Sequence, residues 1–144
     1  MCLYRGKIAL SILLFMVLMI VGTICVSAEE FVPYASEIYN SYGVSLSSSK
    51  SAAFNVSTSQ NVEIKVISVE LQKSSIQVGA NGVQTEKYSK VKSLTAPDKT
   101  VNGKNYTATK DYSLSIPDGG KYRIRAVFSA GGEQKTAYSK GIEF

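Results

Sequence analysis

From Ser51 onward, apolar and polar residues alternate along most of the chain. This period of two is typical of β-strands that bury one face. The pattern predicts strands at residues 52–58, 62–73, 86–94, 106–116, 122–128 and 136–144. Neither a heptad pattern, nor a long helical periodicity, nor an internal repeat occurs among them. We therefore expect an all-β domain with about six to eight antiparallel strands.

Short segments rich in glycine, proline and small polar residues separate the predicted strands. They are a polar turn at Ser59–Asn61, a loop at Gly79–Gly82, a hairpin turn at Asn102–Gly103, a turn at Pro117–Gly120 and a second hairpin turn at Gly131–Gly132. Asn-Gly is the strongest of these signals, because both residues accept the positive φ angles of a two-residue hairpin. Such short connections favour antiparallel neighbours.

The longest predicted strand, residues 62–73, changes phase in its middle. The apolar residues up to Val66 share one face, whereas those from Ile67 to Leu71 would share the other. One extra residue in the strand would return the second set to the first face. We therefore predict a β-bulge near Val66–Ile67.

The candidate core consists of the apolar residues that fall on one face of each predicted strand. They are Ala52, Phe54 and Val56; Tyr88, Val91 and Leu94; Tyr106, Ala108, Tyr112, Leu114 and Ile116; and Tyr122, Ile124, Ala126 and Phe128. Polar residues alternate with them, so each strand is expected to bury one face only.

Residues 1–28 have the layout of an export signal. Arg5 and Lys7 precede an uncharged stretch, and Val26-Ser27-Ala28 supplies small residues before a cleavage point. We therefore expect a signal peptide helix at 1–28, an N-terminal arm at 29–42 and a β-domain at 43–144. The expected location is outside the cell, with association with the cell envelope allowed. Two alternatives stay open: a leader retained as a membrane anchor, and a lipid attached at Cys25.

The composition limits the chemistry of the exported part. Both cysteines, Cys2 and Cys25, fall in the predicted leader, and the chain has no histidine. The β-domain therefore lacks disulfides, thiolate nucleophiles, Cys/His zinc sites and an imidazole base. Its carboxylates are scattered, and its Ser-x-x-Lys spacings lack the predicted helix that such a site requires. We expect no enzymatic activity, no cofactor and no metal, with a minor hydrolase as the least favoured alternative.

One constellation bears on architecture. Asp118-x-Gly120-x-Tyr122 lies where one predicted strand ends, the chain turns and the next begins. In immunoglobulin-like β-sandwiches, a tyrosine at such a corner donates its hydroxyl to upstream backbone and fixes the crossing between two sheets. The position of the second antibody cysteine is Ile124 here. We therefore expect an immunoglobulin-like β-sandwich without a disulfide. A plain hairpin turn with Tyr122 in the core is the alternative.

Four short segments carry a resemblance to known proteins. They are Leu71-Gln72-Lys73 at the end of the long strand, Tyr88-x-x-Val91 after a loop, Gly120-x-Tyr122-Arg123 at the next-to-last strand and Tyr138-Ser139 in the last. On these segments, residues 43–144 resemble small, uncharacterised secreted proteins of Gram-positive bacteria. The resemblance implies an immunoglobulin-like β-sandwich and assigns neither an activity nor a site.

A basic stripe is the candidate binding site. Lys121, Arg123 and Arg125 alternate, so their side chains are expected on one face of one strand, about 7 Å apart. Such a stripe can hold an anionic polymer; a solvated sheet face whose cations pair with acids on neighbouring strands is the alternative. The net charge of the whole chain is +5, and the leader supplies two of these charges, so nucleic acid is not an expected partner.

These observations lead to one functional expectation and one main alternative. We expect a non-catalytic module at or outside the cell surface that binds an anionic cell-wall polymer or a surface protein. The alternative is a secreted effector or antimicrobial-like protein that acts on other cells. Contact with a membrane is expected only through an uncleaved leader.

Overall fold

The computed structural model describes residues 38–144, which form one antiparallel sheet of seven strands. The strands are β1 (Tyr39–Leu46), β2 (Ser51–Val78), β3 (Gln84–Leu94), β4 (Thr100–Asp111), β5 (Lys121–Ala130), β6 (Glu133–Tyr138) and β7 (Ile142–Glu143). The prediction of an all-β, antiparallel domain is confirmed. The predicted leader at 1–28 and most of the arm at 29–42 lie outside the described residues. The sheet already begins at Tyr39, four residues before the domain boundary expected at residue 43.

Strand β2 organises the sheet because it pairs with four other strands. Its first half lies between β1 and β4, and its second half lies between β5 and β3. At Ile64 the strand pairs with β4 and β5 at the same time, so these two strands lie on opposite edges of β2. A single 28-residue strand thus forms hydrogen-bonded ladders with β1 and β4 in its first half and with β5 and β3 in its second half.

The predicted bulge in the long strand is confirmed. Between β2 and β5, Val66 pairs with Phe128 and Ser68 pairs with Val127, which leaves Ile67 without a partner on β5. Val66 is therefore buried on the same side as the apolar residues that follow Ser68, whereas Ile67 is 40% exposed. The unpaired Ile67 brings the later apolar residues of β2 to the buried face, because one added position moves every later side chain to the opposite face.

Two predicted turns are wrong, because tertiary pairing extends the strands through them. The segment Ser59–Asn61 continues β2, and Asn102–Gly103 lies inside β4, opposite Glu63 and Val62. The β2–β4 register shifts between Ser57 and Val62. The buried Thr58 occupies this shift, and its hydroxyl donates to the carbonyl oxygen of Gln60 at 2.9 Å. The polar residues therefore form an irregularity in a continuous ladder instead of a turn.

The hydrophobic core includes side chains from both halves of β2. Phe54 from the first half and Leu71 from the second are fully buried in the same cluster as Phe128 of β5. The rings of Phe54 and Phe128 pack edge to face, with centroids 6.4 Å apart. Most of the predicted core residues are buried, so the alternation of apolar and polar residues identified the buried face correctly.

Two predicted core residues, Leu114 and Val91, are exposed instead. Leu114 lies after the end of β4, in a single turn that the Ile116 amide closes by donating to the Tyr112 carbonyl at 2.9 Å. A turn of this kind breaks the period of two, so Leu114 points into solvent. Val91 lies at a register shift between β2 and β3, where no residue of β2 pairs with it.

The end of the chain follows the prediction in part. Gly131 and Gly132 have positive φ angles and join β5 to β6, as the hairpin signal predicted. The last predicted strand is divided into β6 and β7 around Ser139, whose hydroxyl accepts a hydrogen bond from the buried Ile124 amide at 2.9 Å. Within residues 38–144, no helix is long and apolar enough to cross a membrane.

Candidate binding face

The predicted basic stripe lies on one face of the sheet, opposite the core. Lys121, Arg123 and Arg125 alternate along β5 with the buried residues Tyr122 and Ile124. Neighbouring strands contribute the side chains that contact the stripe. We call this set the Tyr–Arg face; it consists of Glu70 and Gln72 of β2, Glu86, Tyr88 and Lys90 of β3, Lys121, Arg123 and Arg125 of β5, and Tyr138 of β6.

Arg123 is at the centre of the Tyr–Arg face. The carbon atom of its guanidinium lies 4.0 Å from the ring centroid of Tyr88 and 4.5 Å from that of Tyr138. Its Nε donates to Oε1 of the buried Gln72 at 2.8 Å. Two aromatic contacts and one hydrogen bond therefore fix the plane of the guanidinium, which stacks on rings more readily than an ammonium does.

Arg125 and Lys90 share one carboxylate. Glu70 lies between them on β2, with its carboxylate oxygens 3.3 Å from the Arg125 guanidinium and 3.2 Å from the Lys90 ammonium. The Glu70 side chain is only 19% exposed, so the pair is less screened by water than a fully exposed one. This row of charges crosses three adjacent strands, from β3 through β2 to β5.

Lys121 forms the third contact of the stripe, with Glu86. Its ammonium lies 2.8 Å from the carboxylate, which also accepts a hydrogen bond from the Ser74 hydroxyl at 2.6 Å. The hydrogen bond from Lys121, followed by that from Ser74, lowers the pKa of Glu86. The same hydrogen bond, which Lys121 donates to Glu86, raises the pKa of Lys121. Both groups are therefore held in their charged forms at neutral pH.

The structure thus brings the three stripe residues together with partners that the sequence did not reveal. Glu70, Gln72 and Tyr138 were not predicted as site residues, and Tyr88 was predicted as core. Their placement depends on the β2–β3 and β5–β6 registers, which the sequence does not specify. One signal was present: Tyr88 and Lys90 occupy alternate positions and must share a face in a regular strand.

The predicted corner residues also lie close together, at the entry into β5. The amides of Gly119 and Gly120 donate to the carbonyl of Phe144, and the Phe144 amide donates back to Gly120. The carboxylate of Asp118 forms an ion pair with Lys50. The φ angle of Gly120 is +153°, a backbone conformation that residues with a Cβ rarely adopt. The turn therefore favours glycine at this point.

Tyr122 is buried at this turn, and its ring lies 6.4 Å from that of Phe144 and 5.4 Å from the Lys73 ammonium. Among residues 38–144, no hydrogen bond joins its hydroxyl to upstream backbone. A different tyrosine makes such a bond: the hydroxyl of Tyr112, at the end of β4, donates to the Thr95 carbonyl at 2.7 Å. The corner assigned to Asp118, Gly120 and Tyr122 thus has its turn and its buried ring, and it lacks the expected hydroxyl bond among the described residues.

A cleft of about 360 Å³ lies beside the Tyr–Arg face, between the end of β2 and the start of β5. Its charged lining consists of Lys73, Glu86, Lys121 and Glu143. A general acid needs a raised pKa, whereas that of Glu86 is lowered. Within the described part of the chain, no three acidic, histidine or cysteine side chains are grouped as metal ligands. The two lysines and two glutamates of this lining present charges of both signs to the cleft.

No family model matches the chain, and no characterised protein matches it closely enough to count as a relative.

Proposed function

We propose that residues 38–144 form an immunoglobulin-like β-sandwich that acts outside the cell as a non-catalytic binding module. The pairing of β2 supports the two-layer arrangement, since its halves have different neighbours and share one core. The leader pattern at residues 1–28 supports export. Cleavage before Glu29 would leave the described domain whole.

The Tyr–Arg face is the proposed binding surface, and the position of Arg123 between Tyr88 and Tyr138 is the observation that carries the proposal. Tyrosine and arginine are enriched at the centres of protein interfaces, where they contribute most of the binding energy. An arginine that is already held in place loses little side-chain entropy on binding. Its guanidinium has five N–H donors, of which Gln72 takes one.

The proposed partner carries carboxylate or phosphate groups, as an anionic cell-wall polymer or an acidic protein surface does. A planar guanidinium can bind such groups through two parallel hydrogen bonds. Acidic residues hold Lys121 and Arg125 in place, so the face has charges of both signs and selects a ligand by position as well as by charge.

The test is retention of the exported protein on cell-wall fragments at increasing salt. We expect the double variant Arg123→Ser/Arg125→Ser to lose at least about tenfold in affinity, the effect of one charged interface contact. The matched control is Lys104→Ser/Lys135→Ser, which removes the same charge from exposed positions on β4 and β6. Arg123→Lys separates charge from shape, because it keeps the cation and removes the planar donors.

Equal losses of affinity in the two double variants would show that retention depends only on net charge, and they would overturn the proposed face. Unchanged retention of the arginine variant would overturn it as well. Inhibition of neighbouring strains by the purified protein, independent of Arg123, would support the alternative of a secreted effector. N-terminal sequencing of the exported protein tests whether the leader is cleaved. We expect Glu29 as its first residue.

A further inference from the structure

Asparagine is followed by glycine twice in the chain, at Asn81-Gly82 and at Asn102-Gly103. In such a pair, the backbone nitrogen of the glycine can attack the side-chain carbonyl carbon, Cγ, of the asparagine. Glycine permits this approach best, because it has no Cβ to obstruct it. The two pairs are chemically alike, so a large difference in their reactivity can come only from their surroundings in the fold.

Asn81 and Gly82 lie in the loop that joins β2 to β3, where only a few hydrogen bonds hold the backbone. The Gly82 amide donates to the Gly79 carbonyl at 2.9 Å, and Oδ1 of Asn81 accepts a bond from the Val83 amide at 3.2 Å. Every residue from Ser75 to Lys87 is exposed, so no packed side chain keeps this end of the hairpin closed. A hairpin without packing is only marginally stable in water, and these bonds should break in frequent local openings.

Asn102 and Gly103 lie inside β4 and are held by a ladder. They pair with Glu63 and Val62 of β2. The next apolar residue of β2, Ile64, is fully buried and also pairs with β5. Freeing the backbone at Asn102 therefore requires separation of β4 from β2 beside the hydrophobic core, which costs far more free energy than opening a loop.

We propose that Asn81 is a site of spontaneous deamidation in the folded protein and that the β4–β2 ladder protects Asn102. The Gly82 nitrogen loses its proton and forms a bond to Cγ of Asn81, while the bond from Cγ to Nδ2 breaks and ammonia leaves. Water then opens the resulting succinimide ring. Hydrolysis at Cγ gives aspartate, and hydrolysis at the backbone carbonyl gives isoaspartate. Water is the only co-reactant, and no group is oxidised or reduced.

Either product changes the charge of the loop. Residues 74–85 contain no charged side chain, so the new carboxylate is the first charge in this segment. Isoaspartate also adds a methylene group to the backbone between Gly79 and Val83 and disrupts the hydrogen bonds of the loop. The protein should therefore accumulate a more acidic form with age. This inference goes beyond the proposed binding function and does not depend on Arg123.

Peptide mapping tests the proposal, because trypsin cleaves after lysine and separates the two sites. Asn81 falls in the peptide 74–87, and Asn102 falls in the peptide 100–104. The protein is incubated at mildly alkaline pH in water labelled with heavy oxygen and digested in ordinary water, so the mass of each product shows when it formed. In the folded protein, we expect Asn81 to react at least about tenfold faster than Asn102. In denaturant, the two rates should agree within about threefold, because no ladder remains.

The variant Gly82→Ala tests the route of the reaction. It is measured in denaturant, where the positive φ angle of residue 82 has no influence. The added Cβ obstructs the attacking nitrogen, so the rate at Asn81 should fall at least about tenfold. Asn102 in the same chain is the control and should react as before. An unchanged rate at Asn81 would contradict attack by the residue 82 nitrogen.

Three results in the folded protein would overturn the proposed site: equal rates at Asn81 and Asn102, a faster reaction at Asn102, or no reaction at Asn81 under conditions in which the denatured chain reacts.

Discussion

Three buried tyrosines differ in what their hydroxyl groups contact. The hydroxyl of Tyr112 donates to the Thr95 carbonyl at 2.7 Å. That of Tyr106 is buried without a hydrogen-bond partner among the described residues. The hydroxyl of Tyr122 has no bond to upstream backbone within residues 38–144. A buried hydroxyl stabilises a fold only if it is satisfied, so the three groups should contribute differently to stability.

We expect Tyr112→Phe to lower the free energy of unfolding by about 1 kcal/mol, because it leaves the Thr95 carbonyl without its donor. Tyr106→Phe removes an unsatisfied hydroxyl and should leave stability unchanged or raise it. Tyr122→Phe should have little effect. Denaturant unfolding of the three variants measures these differences. A loss of about 1 kcal/mol in Tyr122→Phe would establish the corner bond. Equal effects in all three variants would contradict the different contacts described for the three hydroxyl groups.

At the scale of the element, β2 determines how the sheet is built. It is a long strand with a bulge at Ile67, and it is the only strand of the described sheet that pairs with four others. The bulge matters because Val69 and Leu71 reach the core only if one residue is left unpaired before them. A shift of one position would bring Glu70 and Gln72 to the core side in their place.

Deletion of Ile67 should therefore prevent the native fold, because it removes the unpaired residue and reverses the faces of the second half of β2. The control is Ile67→Ser, which keeps the chain length and alters only a partly exposed side chain. It should cost no more than about 1 kcal/mol. Circular dichroism and cooperative thermal unfolding distinguish the two. Cooperative unfolding of the deletion variant near the wild-type temperature would contradict this role of the bulge.

At the scale of the whole molecule, burial of tyrosines links stability to alkaline pH. Burial raises the pKa of Tyr39 to about 12, with a further increase from the nearby Glu133 carboxylate. Burial likewise raises the pKa of Tyr112 to about 12. The usual tyrosine value is about 10. Folding therefore favours the neutral phenols, and this stabilisation is complete below pH 10 and is lost as the pH rises from about 10 to about 12.

We expect phenolate absorbance of the folded protein to reach its full value at a higher pH than that of the chain in denaturant. The loss of β-sheet circular dichroism should accompany the last part of the rise, since ionisation of a buried phenol requires unfolding. Tyr112→Phe should reduce the amplitude of this late part. Coincident titration curves in buffer and in denaturant would show that the burial of Tyr39 and Tyr112 has no such effect.

In the candidate site, the local alternation of residues predicts which side chains share a face, but not which side chains contact each other. The alternation along β5 placed Lys121, Arg123 and Arg125 on one face, because neighbouring positions of a strand point to opposite sides. The same rule did not predict that Tyr88 would contact Arg123. That contact depends on which residues of β3 and β5 lie level with each other along β2, and a register shift at Leu71–Gln72 alters this alignment.

The strand class, the buried face of most strands and the bulge at Ile67 can be predicted from the amino-acid sequence, because the spacing of apolar residues expresses these features locally. The tertiary structure alone decided that Asn102–Gly103 is strand, that Leu114 is exposed and that Arg123 lies between two tyrosines. The two groups of features differ in the sequence separation of the residues that interact. A turn preference involves neighbours in the chain, whereas the ladder of β4 against β2 forms between residues about forty positions apart and overrides that preference.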